Sequence, residues 1–144
     1  MKEPSRLLPV AAVAFLVCLL AALLSARPAR QPAADKIEQG RYLVTQVSLC
    51  GDCHTPHDEH GQPVSAQTLA GASIVFKPIH PVPNWAEYAP PLAGFPGFTD
   101  EQAITFLTTG RAAGGQLAAP PMPPYRFNQE DAAAVLAYLR SLKK

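Results

Sequence analysis

The residues best suited to chemistry lie in one pentapeptide, Cys50-Gly51-Asp52-Cys53-His54. Two thiols three positions apart share one side of a helical turn, and the imidazole that follows is presented to whatever the thiols hold. Three chemistries use such a set. A dithiol redox pair belongs beside a βαβ pattern. A structural zinc site takes four Cys or His ligands, and a Cys2His2 set can be assembled from Cys50 and Cys53 with His54, His57 or His60. The third is covalent capture of haem: each thiol adds its S–H across one vinyl group of the porphyrin, and His54 meets the iron from one face. Haem is the preferred reading, because C-x-x-C-H is its attachment motif and neither a βαβ pattern nor a second cysteine pair accompanies it.

Iron held in this way needs a sixth ligand from the opposite side of the ring, hence from far along the chain. Met122 is the only methionine apart from Met1. It stands in Ala119-Pro120-Pro121-Met122-Pro123-Pro124-Tyr125, where proline forbids a helix and presents the sulfur from a stiff, extended loop. A thioether suits the iron of a reducible haem, and His/Met ligation raises the potential relative to two imidazoles. The bland alternative is a methionine filling a core gap. His80, in Lys77-Pro78-Ile79-His80-Pro81, is the second candidate, since it too sits on a proline-bracketed loop. His57 and His60, in His57-Asp58-Glu59-His60-Gly61, read as a solvated polar turn. Trp85, Tyr88, Arg111 and Tyr125 are candidates for hydrogen bonds to the haem propionates, against ordinary packing or solvation.

Three helices must position these groups. From Asp35 to about Leu49, Ile37, Gly40, Leu43, Val44 and Val47 recur at helical spacing and lead into Cys50. Thr99 with Gln102 three residues on is a capping box opening a second helix, which Gly110 stops. Asn128 caps a third, with Glu130 and Asp131 in its first turn and Val135, Leu136, Leu139 and Leu142 on one face; Arg140, Lys143 and Lys144 suit its C-terminal end. Proline dominates between them, at Pro78, Pro81, Pro83, Pro90, Pro91 and Pro96 and again around Met122. A connection from Thr55 to Phe98 with so little regular structure counts against a small domain unless a large apolar cofactor fills its core.

The chain has 144 residues, is 48% hydrophobic and carries a net charge of +1, which allows one small domain and a targeting or anchoring segment. Without a Lys/Arg stripe it offers no footprint for nucleic acid. Residues 7–24 (LLPVAAVAFLVCLLAALL) form an uncharged run that approaches the thickness of a bilayer at 1.5 Å per residue. The run is long for the 7–15 apolar residues of a signal peptide, so residues 1–26 are expected to be an uncleaved signal-anchor, the alternative being a signal peptide cleaved after Leu24-Ser25-Ala26. Cys18 lies within this run and reads as a buried thiol. Residues 27–34 form a Pro- and Ala-containing linker, and residues 35–144 the folded domain.

Over residues 35–144 the sequence resembles the class I cytochrome c family. The likeness rests on Gly40-Arg41-Tyr42-Leu43 leading into the pentapeptide, on Pro121-Met122-Pro123 and on Ala137-Tyr138-Leu139. Thr99-Asp100-Glu101-Gln102, Met122-Pro123-Pro124-Tyr125 and Ala137-Tyr138-Leu139-Arg140-Ser141-Leu142 are similar to monohaem cytochromes associated with membrane-bound dehydrogenases. The resemblance implies an all-α fold of three main helices and proline-rich loops around one covalent haem c, behind an N-terminal apolar helix. It implies that the first and last helices cross at Gly40 and Tyr138, that Cys50 and Cys53 carry the thioethers, and that His54 and Met122 are the proximal and distal iron ligands. A proline carbonyl holds the haem histidine in this family, but Pro63 comes earlier than the common spacing. The long 72–96 loop is a candidate docking surface.

With both axial positions filled, the expected function is outer-sphere electron transfer rather than catalysis. Redox partners would be a dehydrogenase, an oxidase or another cytochrome. The expected location is the cell membrane, with the haem domain on the extracytoplasmic side, or the soluble periplasm if the leader is cleaved. A labile sixth ligand would instead give a peroxidase or gas-binding haem, and the zinc reading a tethered interaction module.

Overall fold

A computed structural model describes residues 33–143. The 7–24 run and the linker up to Pro32 lie outside these residues. Among the described residues no helix is long and apolar enough to cross a membrane.

Helix α1 spans Ala33–Tyr42, with Asp35 in its first turn and Arg41 in its last, as the helix dipole favours. The helical expectation to Leu49 holds only in part, because the chain widens into a π turn over Leu43–Val47. Ser48 N–H reaches back to the Leu43 carbonyl at 2.8 Å and Cys50 N–H to that of Val44 at 3.0 Å. Val44 is thereby buried in the core while Cys50 stands half-buried at its edge. The single turn α2, Gly51–His54, follows at once.

Helix α3 spans Asp100–Thr109 and begins with the expected capping box: Thr99 Oγ1 accepts from Gln102 N–H and Gln102 Oε1 from Thr99 N–H. It ends at Gly110, whose φ of 72° is the left-handed conformation that favours glycine at a helix stop. Helix α4 spans Gln129–Ser141, and Asn128 Oδ1 caps it by accepting from Asp131 N–H at 2.8 Å.

The core is the meeting of α1, α3 and α4. Val44, Ala103, Leu107, Ala132, Val135 and Leu139 are buried there together. Helices α1 and α4 cross at Gly40, where an added Cβ would lie 2.0 Å from the Ala134 carbonyl oxygen and 2.8 Å from Tyr138 Cβ. No side chain fits at that crossing, so the Gly40 and Tyr138 pairing implied by the resemblance is a steric requirement.

The 55–98 connection is irregular but firmly tied. A two-stranded antiparallel ladder joins β1 (Ala72–Ser73) to β2 (Tyr88–Ala89), a small departure from an all-α chain. Leu69 N–H donates to Thr55 Oγ1 at 2.9 Å, and the Leu69 carbonyl accepts from both Leu92 and Ala93 N–H. His57 and His60 lie in the predicted surface turn, with Asp58 Oδ1 accepting from the N–H groups of His60 and Gln62.

Arg140, expected only to complement the end of its helix, does more. Its guanidinium donates to the carbonyls of Gly94, Phe95 and Phe98 and to Asp100 Oδ1, at 2.5 to 3.0 Å, so α4 holds the 94–98 loop in place.

Candidate functional site

The wide turn before Cys50 delivers α2 to the wall of an apolar cavity of about 450 Å³. Cys50, Cys53 and His54 line it from one side of the sequence, Tyr88 and Pro90 from the middle, and Met122 and Tyr125 from the far end. The four residues assigned from sequence to one site are therefore brought to one cavity. Phe95, Phe98 and Phe106 complete its apolar wall, the first two on the loop that Arg140 holds.

His54 is 5% exposed, and its Nδ1 lies 2.6 Å from the carbonyl oxygen of Pro90. A carbonyl can only accept, so Nδ1 carries the proton and Nε2 keeps its lone pair for a metal. Burial lowers the histidine pKa and the Pro90 hydrogen bond opposes it, which favours the neutral, ligating form. The supporting proline is thus Pro90, not Pro63, which pairs with His57 at the surface. No local spacing pointed to Pro90; only the return of the chain at β2 brings it beside α2.

Cys50 and Cys53 are not disulfide-bonded. Burial pushes the Cys50 thiol up to about 11, and burial also raises that of Cys53. A redox dithiol needs the opposite shift, toward thiolate, so this setting opposes the disulfide-exchange reading. The zinc reading lacks ligands: among the described residues no three His, Cys, Asp or Glu side chains are grouped to hold a metal ion.

His80 is exposed on the 74–87 loop and does not line the cavity, so the structure does not bring the second-choice ligand to His54. Of the four propionate candidates, Tyr88 and Tyr125 line the cavity, whereas Trp85 packs edge-on against Phe76 and the Arg111 guanidinium donates to the Gly115 carbonyl. The Tyr125 hydroxyl donates to the Ser48 carbonyl at 2.5 Å, a contact that sequence reasoning missed because 77 residues separate the partners. Burial raises the Tyr125 phenol above its ordinary pKa, and the nearby Cys50 adds to this, so the hydroxyl keeps its proton and remains a donor.

These groups fit a covalently held haem. Two free thiols share one helical face, an anchored imidazole has its Nε2 unclaimed, and the surrounding cavity is apolar and opens at the surface.

Comparison with known proteins agrees. The chain is 30% identical over 113 residues to the fructose dehydrogenase cytochrome subunit of Gluconobacter japonicus, covering 75% of this chain and 22% of that one. It is 29% identical over 131 residues to the cytochrome c subunit of the quinone-type alcohol dehydrogenase of Gluconobacter oxydans, covering 80% and 27%. With a diheme c-type cytochrome of Cereibacter sphaeroides it shares 31% over 115 residues, covering 74% and 36%. The chain thus spans between a fifth and two fifths of the length of these relatives. The cytochrome c family pattern matches residues 37–143, from within α1 to just beyond α4, and the chain belongs to that family of haem c electron carriers.

Proposed function

We propose that this chain carries single electrons on one haem c, bound through thioethers to Cys50 and Cys53, with His54 and Met122 as the axial iron ligands. The observation that carries the reading is the convergence of these four residues on one apolar cavity. The single C-x-x-C-H in this chain supports a count of one haem.

When bound, the haem supplies a one-electron couple at its iron. The chain supplies the rest. Pro90 fixes the His54 tautomer and ring orientation, which keeps the proximal ligand strong. Phe95, Phe98 and Phe106 give the cavity an apolar wall, and a thioether paired with an imidazole on the iron would favour the reduced state relative to two imidazoles. With His54 and Met122 both holding the iron, no coordination site would be left for a substrate.

The likeness to dehydrogenase cytochrome subunits supports a dehydrogenase as electron donor. The apolar 7–24 run supports a membrane anchor with the haem domain on the extracytoplasmic side. Val75 and Ile79, 93% and 94% exposed on the 74–87 loop, are apolar side chains that a protein partner could cover.

The deciding experiment is Met122→Ala. Oxidised wild-type protein should show the weak near-red absorption of a sulfur-to-iron bond, and the variant should lose it while retaining its haem and binding carbon monoxide more readily when reduced. If the wild type lacks that band and His80→Ala opens the iron instead, ligation is bis-histidine. Location is tested separately: N-terminal sequencing of the haem-stained, membrane-pelleted protein should begin at or near Met1, and a start near Arg27 would replace the anchor with a soluble carrier.

A further inference from the structure

The segment that carries Met122 is poor in the groups that normally hold a loop in place. Between residues 120 and 124 four of five positions are proline, so only Met122 has an amide N–H. That N–H is spent locally on the Ala119 carbonyl at 3.2 Å, and Tyr125 N–H on the Pro123 carbonyl at 3.0 Å. The backbone bonds that leave the segment are at its ends, from Ala86 N–H to the Pro120 carbonyl and from Phe127 N–H to the Leu107 carbonyl. Neither reaches the strand of chain that carries His54.

Tyr125 does. Its hydroxyl donates to the carbonyl of Ser48, a buried residue two positions before Cys50 whose own N–H closes the π turn on Leu43. The ring is held in turn by stacking on Phe127, with centroids 5.5 Å apart and planes within 16°. Among the described residues it is the only side-chain hydrogen bond made from residues 119–125. It joins the segment that bears Met122 to the segment that bears His54.

We propose that Tyr125 is a positioning residue that keeps Met122 on the iron, substituting one side-chain hydrogen bond for the backbone bonds that proline has removed. The proposal rests on the reading of Met122 as distal ligand. It assigns Tyr125 to the distal loop rather than to the propionates, and it explains the need for a hydroxyl where phenylalanine would pack equally well against Phe127.

Tyr125→Phe removes the hydroxyl and keeps the ring. Imidazole added to the oxidised haem protein competes with Met122, so its apparent affinity measures how readily the sulfur leaves. Loss of one such hydrogen bond should raise that affinity about fivefold to tenfold. The near-red band should also be lost at a lower pH than in the wild type. In a Met122→Ala background the same Tyr125→Phe change should leave imidazole affinity unaltered, because no sulfur remains to be displaced. Unchanged affinity in the single variant would overturn the proposal. So would an equal increase in the Met122→Ala background, which would mean that the hydroxyl merely narrows the cavity. If Met122→Ala alone leaves the spectrum and imidazole binding unchanged, the ligand assignment itself is at fault, a result that needs no Tyr125 variant to recognise.

Discussion

Two regions of this domain are built on different physics. The helical frame, α1 with α3 and α4, is held by side-chain packing so close that Gly40 admits no Cβ and Ala103, Ala132 and Ala134 are fully buried. The cavity walls, residues 55–98 and 111–127, have almost no regular structure and are pinned by a few long-range hydrogen bonds: Thr55 to Leu69, His54 to Pro90, Tyr125 to Ser48, and Arg140 to the 94–98 loop. The frame buries its apolar surface against itself and against Leu69 and Phe95, which the walls contribute to the same core. Much of the remaining apolar surface of the walls faces the cavity, so their order depends on the haem more than the frame's does.

The largest effect should come from removing that cofactor. Replacing both Cys50 and Cys53 with Ser should abolish covalent haem, read as loss of haem stain on denaturing gels. Amide exchange should then speed up across the walls by far more than in α1 and α4. Equal acceleration everywhere would erase the distinction between the two regions.

Next is the frame itself. Gly40→Val drives a branched side chain into the Ala134 carbonyl and should cost about 3 kcal/mol in urea unfolding of the haem protein, the upper end for overpacking. A cost near zero would mean that the crossing is loose.

Arg140 links the two regions. Arg140→Ala leaves three carbonyls without their donor, and with the side chain one-third exposed the expected loss is about 2 kcal/mol. Local exchange at residues 94–98 should rise. Arg140→Lys should restore only part, since an ammonium cannot match the planar fork. Full rescue by Lys would reduce the contact to simple charge.

The smallest effect belongs to the outermost wall. Ile79→Asp at a 94% exposed position should change stability by less than about 0.5 kcal/mol, measured by thermal melting. It should nevertheless slow electron exchange with the physiological donor if this surface is where that donor docks.

The ends of α3 and α4, the glycine at the helix crossing and the chemistry of residues 50–54 were legible from sequence, because capping, close approach and C-x-x-C-H geometry depend on residue type at fixed local offsets. The π turn was not, since Leu43–Val47 has the same apolar spacing whether the turn is closed at four residues or five. Met122 could be nominated because so few thioethers compete for the role. His80 is the second candidate on sequence grounds, and the path of the 74–87 loop leaves it exposed and outside the cavity that Met122 lines.

What the sequence by itself determined is the reactive pentapeptide and the helices that frame it, both products of interactions within a few residues. Which proline supports His54, which tyrosine braces the Met122 loop and what Arg140 grips were decided by tertiary structure alone. Each of those bonds joins residues tens of positions apart, and chain return, not local preference, sets such distances.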